Sequence, residues 1–134
     1  MNDIKPIRSD KAPKAVGPYS QAMLHDGMLY ASGQIGLDPA TGKLVGDTVE
    51  EQAKQVTRNL SAVLAAAGAD TSRILKVNIF LTDMADFPLV NTIYAEWLGE
   101  HRPARATVAV AALPLGAKVE MDLIASVSSE TFGW

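Results

Sequence analysis

The sequence predicts an α+β fold in which a mixed β-sheet of about six strands carries two helices on one face. Three observations predict it: an Asp-Gly turn between apolar runs, two segments with apolar residues at helical spacing, and strand-like runs after each helix. With 134 residues, 48% of them hydrophobic, the chain is long enough for one domain with its own core. We expect a single domain over residues 1–134, with an irregular arm at residues 1–15 and a tail of unassigned role at residues 128–134.

A hairpin is expected to open the sheet. The strands Tyr19–Leu24 and Met28–Gln34 flank the turn His25-Asp26-Gly27, and Asp-Gly between apolar runs is a strong hairpin signal. A second turn follows at residues 38–42, which read Asp-Pro-Ala-Thr-Gly.

Both helices have boundary residues in the sequence. Thr48 and Glu51 form a capping box, in which Thr48 bonds forward and Glu51 reaches back, and Gly68 supplies a left-handed stop. The second helix is expected to take Asp86 as its N-cap and to end at Gly99.

Three further strands follow the helices. They are Ile74–Leu81 after the first helix, and Arg105–Leu113 and Lys118–Val127 after the second. Ile74–Leu81 is apolar on both faces, with Leu75 assigned to the face of Val77 and Ile74 to the opposite one. Two helices cover one face, and an open face of this kind would expose an unusually large apolar patch. We therefore expect an obligate homo-oligomer that buries the second face.

Composition excludes several classes of function. The chain has no cysteine, which removes thiol nucleophiles, disulfides and cysteine-ligated metal sites. Its two histidines, His25 and His101, have no partner at ligand spacing, so we expect no metal, and no glycine-rich loop precedes a helix to cradle a nucleotide. A net charge of −3 argues against nucleic acid as a partner. The polar N-terminus and the short apolar runs predict neither a signal peptide nor a membrane span, hence a cytoplasmic protein.

Arg105 is the first candidate for chemistry. It opens a strand of mostly apolar or small residues, and its planar fork suits a bidentate grip on a carboxylate. If Val108 and Val110 face the helices, strand alternation places Arg105 and Thr107 on the other face with Glu120. Arg105 then either binds a ligand or pairs with an internal carboxylate, and Glu120 is either that partner or a general acid or base. An oligomer that covered this face without leaving space for water or a ligand would bury charges without partners, which is energetically costly. We therefore expect a cleft at the subunit boundary that admits water and a small anion.

Three more polar groups have both a structural and a functional interpretation. Tyr19 follows the rigid Gly17-Pro18 turn, Ser32 precedes Gly33 at a strand end, and Asn91 lies within the second helix although asparagine is a poor helix former. Taken one at a time, the ordinary interpretations are favoured: a half-buried tyrosine, a capped turn and an exposed filler.

Together these residues form a pattern that runs in order from about Ala15 to Ala125. Its main stretches are Gly17-Pro18-Tyr19-Ser20-Gln21, Ser32-Gly33-Gln34-Ile35, Phe80-Leu81-Thr82-Asp83-Met84, Val90-Asn91, Arg102-Pro103-Ala104-Arg105-Ala106-Thr107-Val108, Leu113-Pro114 and Val119-Glu120. In this pattern the chain resembles the RidA (YjgF) family of reactive intermediate deaminases.

The resemblance implies a chorismate-mutase-like fold, assembled as a homotrimer with clefts between subunits. It also implies hydrolysis of 2-imino acids and their enamine tautomers, such as 2-iminobutanoate and 2-iminopropanoate, to 2-oxo acids and ammonia without a metal or organic cofactor. Arg105 matches the family's carboxylate-binding arginine, and Glu120 matches its water-orienting glutamate. The matches to substrate-binding positions are Tyr19, Ser32, Gly33, Asn91 and, through its backbone, Thr107.

Two positions depart from the family's pattern, and two other functions stay open. Ala106 stands where many members have serine, and Thr107 where some have cysteine, which leaves the preferred imine undetermined. The alternatives are a non-catalytic regulator that binds 2-oxo acids in the same cleft, and an endoribonuclease or translation inhibitor as ascribed to some relatives. Arg105 together with Glu120 favours the deaminase, whereas the acidic charge and the lack of a catalytic histidine argue against the ribonuclease.

Overall fold

A six-stranded mixed sheet forms the centre of the computed structural model, which describes residues 3–127. The elements are β1 (Lys5–Ile7), β2 (Ala22–His25), β3 (Met28–Gln34), α1 (Val49–Ala66), β4 (Ile74–Leu81), α2 (Phe87–Leu98), β5 (Ala104–Ala109) and β6 (Val119–Ser126). The strand order is β1-β2-β3-β6-β4-β5, in which β4 and β5 are parallel and the other neighbours antiparallel. The predicted fold class is confirmed.

Both helices pack on the same face of the sheet, where they bury an apolar core. Thr48 caps α1 as predicted: its Oγ1 accepts from the backbone N–H of Glu51 at 3.1 Å. The Glu51 carboxylate, however, accepts from the Thr48 hydroxyl at 2.8 Å instead of reaching the backbone. Fully buried core side chains from both layers include Leu29, Val56, Leu60, Leu64, Val77, Ile79, Leu81, Val90 and Met121.

The β2–β3 hairpin turns at Asp26 and Gly27, whose φ values are 51° and 76°. Two positive φ values at the central residues are what a tight hairpin turn with the twist of its strands needs. The strand before the turn begins at Ala22, later than predicted, because Gly17 at φ 125° and Pro18 bend the chain just before it.

The prediction of an irregular arm at residues 1–15 is wrong in part. Lys5–Ile7 forms β1 and pairs with β2, so that Ile7 lies opposite Ala22. The strand has three residues, one of them proline, which leaves almost no pattern to read from sequence. Beyond it, the Gln21 amide secures the chain, since its Oε1 accepts from the Ser9 N–H at 2.6 Å. The tail predicted at residues 128–134 lies outside the described residues.

Two boundaries in the second half also differ from the prediction. Asp83 caps a short 3-10 turn at Met84–Asp86 by accepting from the Ala85 N–H at 2.9 Å. Asp86 itself makes no side-chain cap bond to α2, because that turn already leads into the helix. The strand β5 ends at Ala109, well short of the predicted Leu113.

The open face of the sheet carries large apolar side chains. Tyr30 and Val108 keep 49% and 47% of their surface exposed there. A bulge between Ile74 and Lys76 buries Ile74 and exposes Leu75, which reverses the predicted faces of these two residues. These exposed side chains fit a face that a second copy covers, and the homo-oligomer stays a prediction.

Within residues 3–127, the structure contains no helix whose length and apolar character would allow it to cross a membrane.

Candidate active site

Arg105 and Glu120 lie on opposite faces of the sheet within one chain. In the parallel β4–β5 pairing, Arg105 stands beside Val77, which is fully buried under the helices. Glu120 stands opposite Phe80, which lies three residues beyond Val77 along β4. Because side chains alternate between the two faces of a strand, Phe80 and Glu120 point to the open face. The prediction that Arg105 and Glu120 share a face is wrong, which also removes an ion pair between them in one chain.

Val108 explains why strand alternation gave the wrong face. It pairs with Phe80 on the open face, whereas Arg105 and Thr107 share the helix-covered face. A valine is expected to face the helices, but an arginine takes that side here because its guanidinium packs well against aromatic rings of α2. The expected common face of Arg105 and Thr107 is confirmed.

Arg105, Phe87, Asn91 and Tyr94 form what we call the arginine half-site, on α2 and β5. The guanidinium carbon lies 5.2 Å from the centroids of both the Phe87 and the Tyr94 ring. Its Nη1 donates to Asn91 Oδ1 at 2.5 Å. Among residues 3–127, Arg105 has no carboxylate within 4.0 Å, and a pocket of about 490 Å³ opens beside it. The guanidinium is thus oriented by neutral groups and keeps N–H donors for a ligand.

The helix α2 supplies the three supports of Arg105 from one stripe. Phe87, Asn91 and Tyr94 follow one another at spacings of four and three residues, which places them on the same side of a helix. The sequence analysis identified Asn91 as a site residue but not Phe87 or Tyr94. Their spacing around a poorly helix-forming asparagine was the signal that could have joined them to the site.

Tyr94 and Thr107 each carry a buried hydroxyl without a hydrogen-bond partner among the described residues. Burial raises the pKa of Tyr94, against the opposing effect of the Arg105 and Arg102 charges. Tyr94 therefore stays neutral at neutral pH and offers Arg105 an uncharged aromatic face. Thr107 lies on the same side of β5 as Arg105, two residues further along.

Glu120, Tyr19, Ser32 and Gly33 line a second pocket, which we call the glutamate half-site, with a volume of about 600 Å³. A Cβ atom at Gly33 would overlap the Glu120 carboxylate, so the missing side chain is what lets this carboxylate sit over β3. The Ser32 hydroxyl donates to the Ser20 carbonyl at 2.6 Å and so ties down the segment that carries Tyr19. The structure thus brings together four of the seven predicted site residues here. It places Arg105 and Asn91 in the arginine half-site, and Thr107 on the same face of β5 as Arg105.

The Glu120 carboxyl is half-buried and has a second carboxyl nearby. Burial raises the pKa of Glu120, and the Asp122 charge on the same face of β6 raises it further. Asp122 accepts from the Asn78 amide at 2.9 Å, which holds it beside the site. No cation lies within 4.0 Å of Glu120 among residues 3–127. A carboxyl in this environment gives up and takes back a proton at higher pH than an exposed glutamate.

The described residues, 3–127, contain no group of three histidine, aspartate or glutamate side chains that could hold a metal ion. His25 lies at the hairpin with its Nε2 3.3 Å from the Asp26 carboxylate, and His101 contacts the Ile74 carbonyl at 2.7 Å. Neither histidine lines either half-site.

Comparison with known proteins identifies the family. The model of the family described as endoribonuclease L-PSP matches residues 9–127. The chain belongs to the endoribonuclease L-PSP family. The matched range includes both half-sites of this L-PSP protein.

Three relatives within this comparison illustrate the likeness. The L-PSP chain is 54% identical over 123 residues to Protein DfrA of Myxococcus xanthus, covering 90% of this chain and 94% of the relative. It is 50% identical over 121 residues to the 2-iminobutanoate/2-iminopropanoate deaminase of Mus musculus, covering 90% of each. The crystal structure of RidA from Psychrobacter sp. PAMC 21119 superposes with a TM-score of 0.89 at 44% identity, covering 92% of this chain and 99% of that one. The resemblance to the RidA family is confirmed.

Proposed function

We propose that this protein hydrolyses 2-imino acids and their enamine tautomers, such as 2-iminobutanoate and 2-iminopropanoate, to 2-oxo acids and ammonia. The observation that carries the proposal is a pair of complementary pockets, one with an oriented Arg105 and the other with a half-buried Glu120. Neither charge has an ion-pair partner among residues 3–127. The name of the mouse relative, at 50% identity over nine-tenths of both chains, supports the same chemistry.

The proposed site lies between two copies of the chain, in a homotrimer with a cleft at each subunit boundary. Since Arg105 and Glu120 occupy opposite faces of one sheet, a small substrate would not reach both within a chain. A neighbouring copy that sets its arginine half-site against the glutamate half-site would bring the two charges to one ligand. The exposed Tyr30 and Val108 supply apolar surface for such a contact.

In the proposed mechanism, Arg105 binds the substrate carboxylate through two N–H donors and thereby fixes the imine carbon. Glu120 accepts a proton from a water molecule as the water oxygen bonds to that carbon. The glutamate then returns that proton to the imine nitrogen, which gives a carbinolamine with a hydroxyl and an amino group on one carbon. Glu120 next transfers the hydroxyl proton to the amino group, so that the C–O double bond forms as the C–N bond breaks, and ammonia leaves the 2-oxo acid behind. Acid–base catalysis by a positioned group of this kind contributes about 10²–10⁴-fold to the rate.

The remaining site residues have supporting roles in this proposal. Tyr19, Ser32 and Gly33 shape the pocket around Glu120, and Asn91 orients Arg105. Thr107 contributes through its backbone at the arginine half-site. The proposed reaction requires no metal or organic cofactor.

The description of the family leaves ribonuclease activity as an alternative to be tested. Neither histidine lines a half-site, and the chain carries a net charge of −3. Both facts fit a small anionic substrate bound by one arginine better than they fit a polyanion. A regulator that binds 2-oxo acids without turnover would use the same pockets.

One assay separates these functions. Threonine dehydratase generates 2-iminobutanoate in the presence of semicarbazide, and the protein is expected to lower the amount of trapped product. A wild-type protein that fails to do so overturns the deaminase proposal. Binding of 2-oxobutanoate without turnover would then support the regulator, and cleavage of RNA that persists in Arg105→Ala and Glu120→Ala would support the ribonuclease.

Mixing two inactive variants tests the shared site. Arg105→Ala and Glu120→Gln are each expected to lose activity, whereas chains of both unfolded and refolded together in equal amounts should regain about one quarter of the wild-type activity. The reason is that one chain supplies Glu120 and its neighbour supplies Arg105. The matched control mixes Arg105→Ala with the double variant Arg105→Ala/Glu120→Gln, which should regain nothing. Two folded variants that show no regain would contradict a site between subunits.

A further inference from the structure

Leu115 has a backbone conformation that leucine rarely adopts. Its φ is 58° and its ψ is 21°, in the turn between β5 and β6. The next residue, Gly116, also has a positive φ of 73°, but glycine adopts it without a steric penalty. A bulky residue kept in the left-handed region is a reason to ask what its side chain does.

The Leu115 side chain lies at the glutamate half-site and not in the core. It lines the same pocket as Glu120 and keeps 69% of its surface exposed. Val16 lines this pocket from the segment before Tyr19 and is 79% exposed. Two large apolar side chains therefore stand in solvent at the edge of a pocket whose reactive group is a carboxylate.

The rest of the pocket divides in the same way into polar and apolar parts. Its polar lining residues are Lys14, Tyr19, Gln21, Ser32, Gln34 and Glu120, of which Gln21 and Gln34 are buried and Lys14 is exposed. Its other apolar lining residues are Pro13, Ile35, Leu37 and Pro114. A molecule that places a polar reacting centre at Glu120 thus has apolar surface available for whatever is attached to that centre.

We propose that Leu115 and Val16 form an apolar wall that receives the substrate side chain, so that this enzyme favours 2-imino acids with branched apolar side chains. The inference rests on the proposed deaminase function, because it places the imine carbon at Glu120. The methyl group of 2-iminopropanoate covers little of the wall, whereas the isobutyl group of the leucine-derived imine removes both surfaces from water. A charged side chain that lies against Leu115 and Val16 would lose hydration without gaining a polar partner from either of them.

The strained backbone offers a clean variant to test this wall. Leu115→Gly removes the side chain at a position whose φ suits glycine, so the variant is expected to fold at least as well as the wild type. The imines are generated from leucine and from alanine by an L-amino-acid oxidase, with semicarbazide as the trap. We expect the ratio of kcat/KM for the leucine-derived imine to that for the alanine-derived imine to fall about tenfold.

Two further variants, one at the same position and one outside the pocket, test whether that change in the ratio depends on the apolar wall. Leu115→Lys keeps a long side chain but adds a charge, and is expected to lower the same ratio at least as much. Ile4→Ala is the matched control, since Ile4 is 66% exposed and lies outside the pocket, and its ratio should equal that of the wild type.

Each failure has its own signature. An unchanged ratio in Leu115→Gly overturns the apolar wall and leaves the deaminase proposal intact. Loss of activity toward both imines together with dissociation in sedimentation also overturns the wall, because Leu115 would then be a contact between copies. A wild-type protein that hydrolyses neither imine overturns the proposed function itself.

Discussion

The two half-sites hold their charges by different means. Arg105 lies against the Phe87 and Tyr94 rings and is oriented by Asn91, and arginine serves as a fixed cation in proteins. Glu120 is half-buried beside Asp122, and both effects raise its pKa. One half-site therefore offers a permanent charge suited to binding, whereas the other offers a group whose proton can move. The difference separates the residue that anchors the substrate from the residue that reacts.

The largest expected effect tests this separation directly. Glutamine at position 120 keeps the size of glutamate but accepts no proton, so Glu120→Gln should lower kcat about 100-fold or more with a small change in KM. Arg105→Lys is the contrasting variant: it keeps the charge but loses the planar fork, and should mainly raise KM. Equal changes of kcat and KM in both variants would erase the distinction between the half-sites.

Stability gives an independent check on Glu120→Gln. The folded-state pKa of Glu120 lies above its ordinary value, so above that pKa the ionised carboxyl lowers the free energy of unfolding. At pH 7 the variant should therefore melt no lower than the wild type. A lower Tm would show that the loss of activity reflects damage to the fold.

A smaller effect is expected from Gly33, which positions the carboxylate by lacking a side chain. A Cβ there overlaps the Glu120 carboxylate, so Gly33→Ala should move it away from the attacking water and lower kcat about tenfold. Because both positions act through one group, Gly33→Ala should cost nothing further in the Glu120→Gln background. Losses that add in full would mean that Gly33 acts by another route.

The smallest effect is a shift in pH dependence. As pH falls through the raised pKa of Glu120, the carboxyl is protonated and activity declines, because it can no longer accept a proton from water. Asp122→Asn removes the second cause of that raised pKa, and should move the acidic limb of the kcat profile to lower pH. Glu100→Gln, an exposed residue outside both half-sites, controls for net charge. An acidic limb that stays in place in Asp122→Asn would assign it to another group.

Local signals predicted most of the fold. Thr48 and the Asp26-Gly27 turn act through neighbouring backbone atoms, so their sequence was enough to place α1 and the first hairpin. β1 was missed because three residues around a proline carry no periodicity, and its formation depends on pairing with β2. Asp86 was predicted as the cap of α2, whereas Asp83 caps the short 3-10 turn that precedes the helix. The sequence does not distinguish that turn from the first turn of the helix.

In the site, too, features set by local sequence were predictable and features set by distant contacts were not. Its residue types were predictable, because a fork that grips a carboxylate and a carboxyl that moves a proton suit few side chains. Their arrangement was not, since the face of Arg105 is decided by its register with β4 and by aromatic rings on α2. The left-handed backbone of Leu115 was also hidden, because leucine gives no sequence sign of a positive φ.

The strand β5, which carries Arg105, is the last strand at one edge of the sheet. On the proposed assembly, every catalytic unit draws its two charges from separate polypeptides, so activity becomes a function of protein dose. Near the dissociation constant of the assembly, halving the amount of protein would remove more than half of the activity. Expression level would then act on this enzyme as a control, with no ligand or modification needed to change its output.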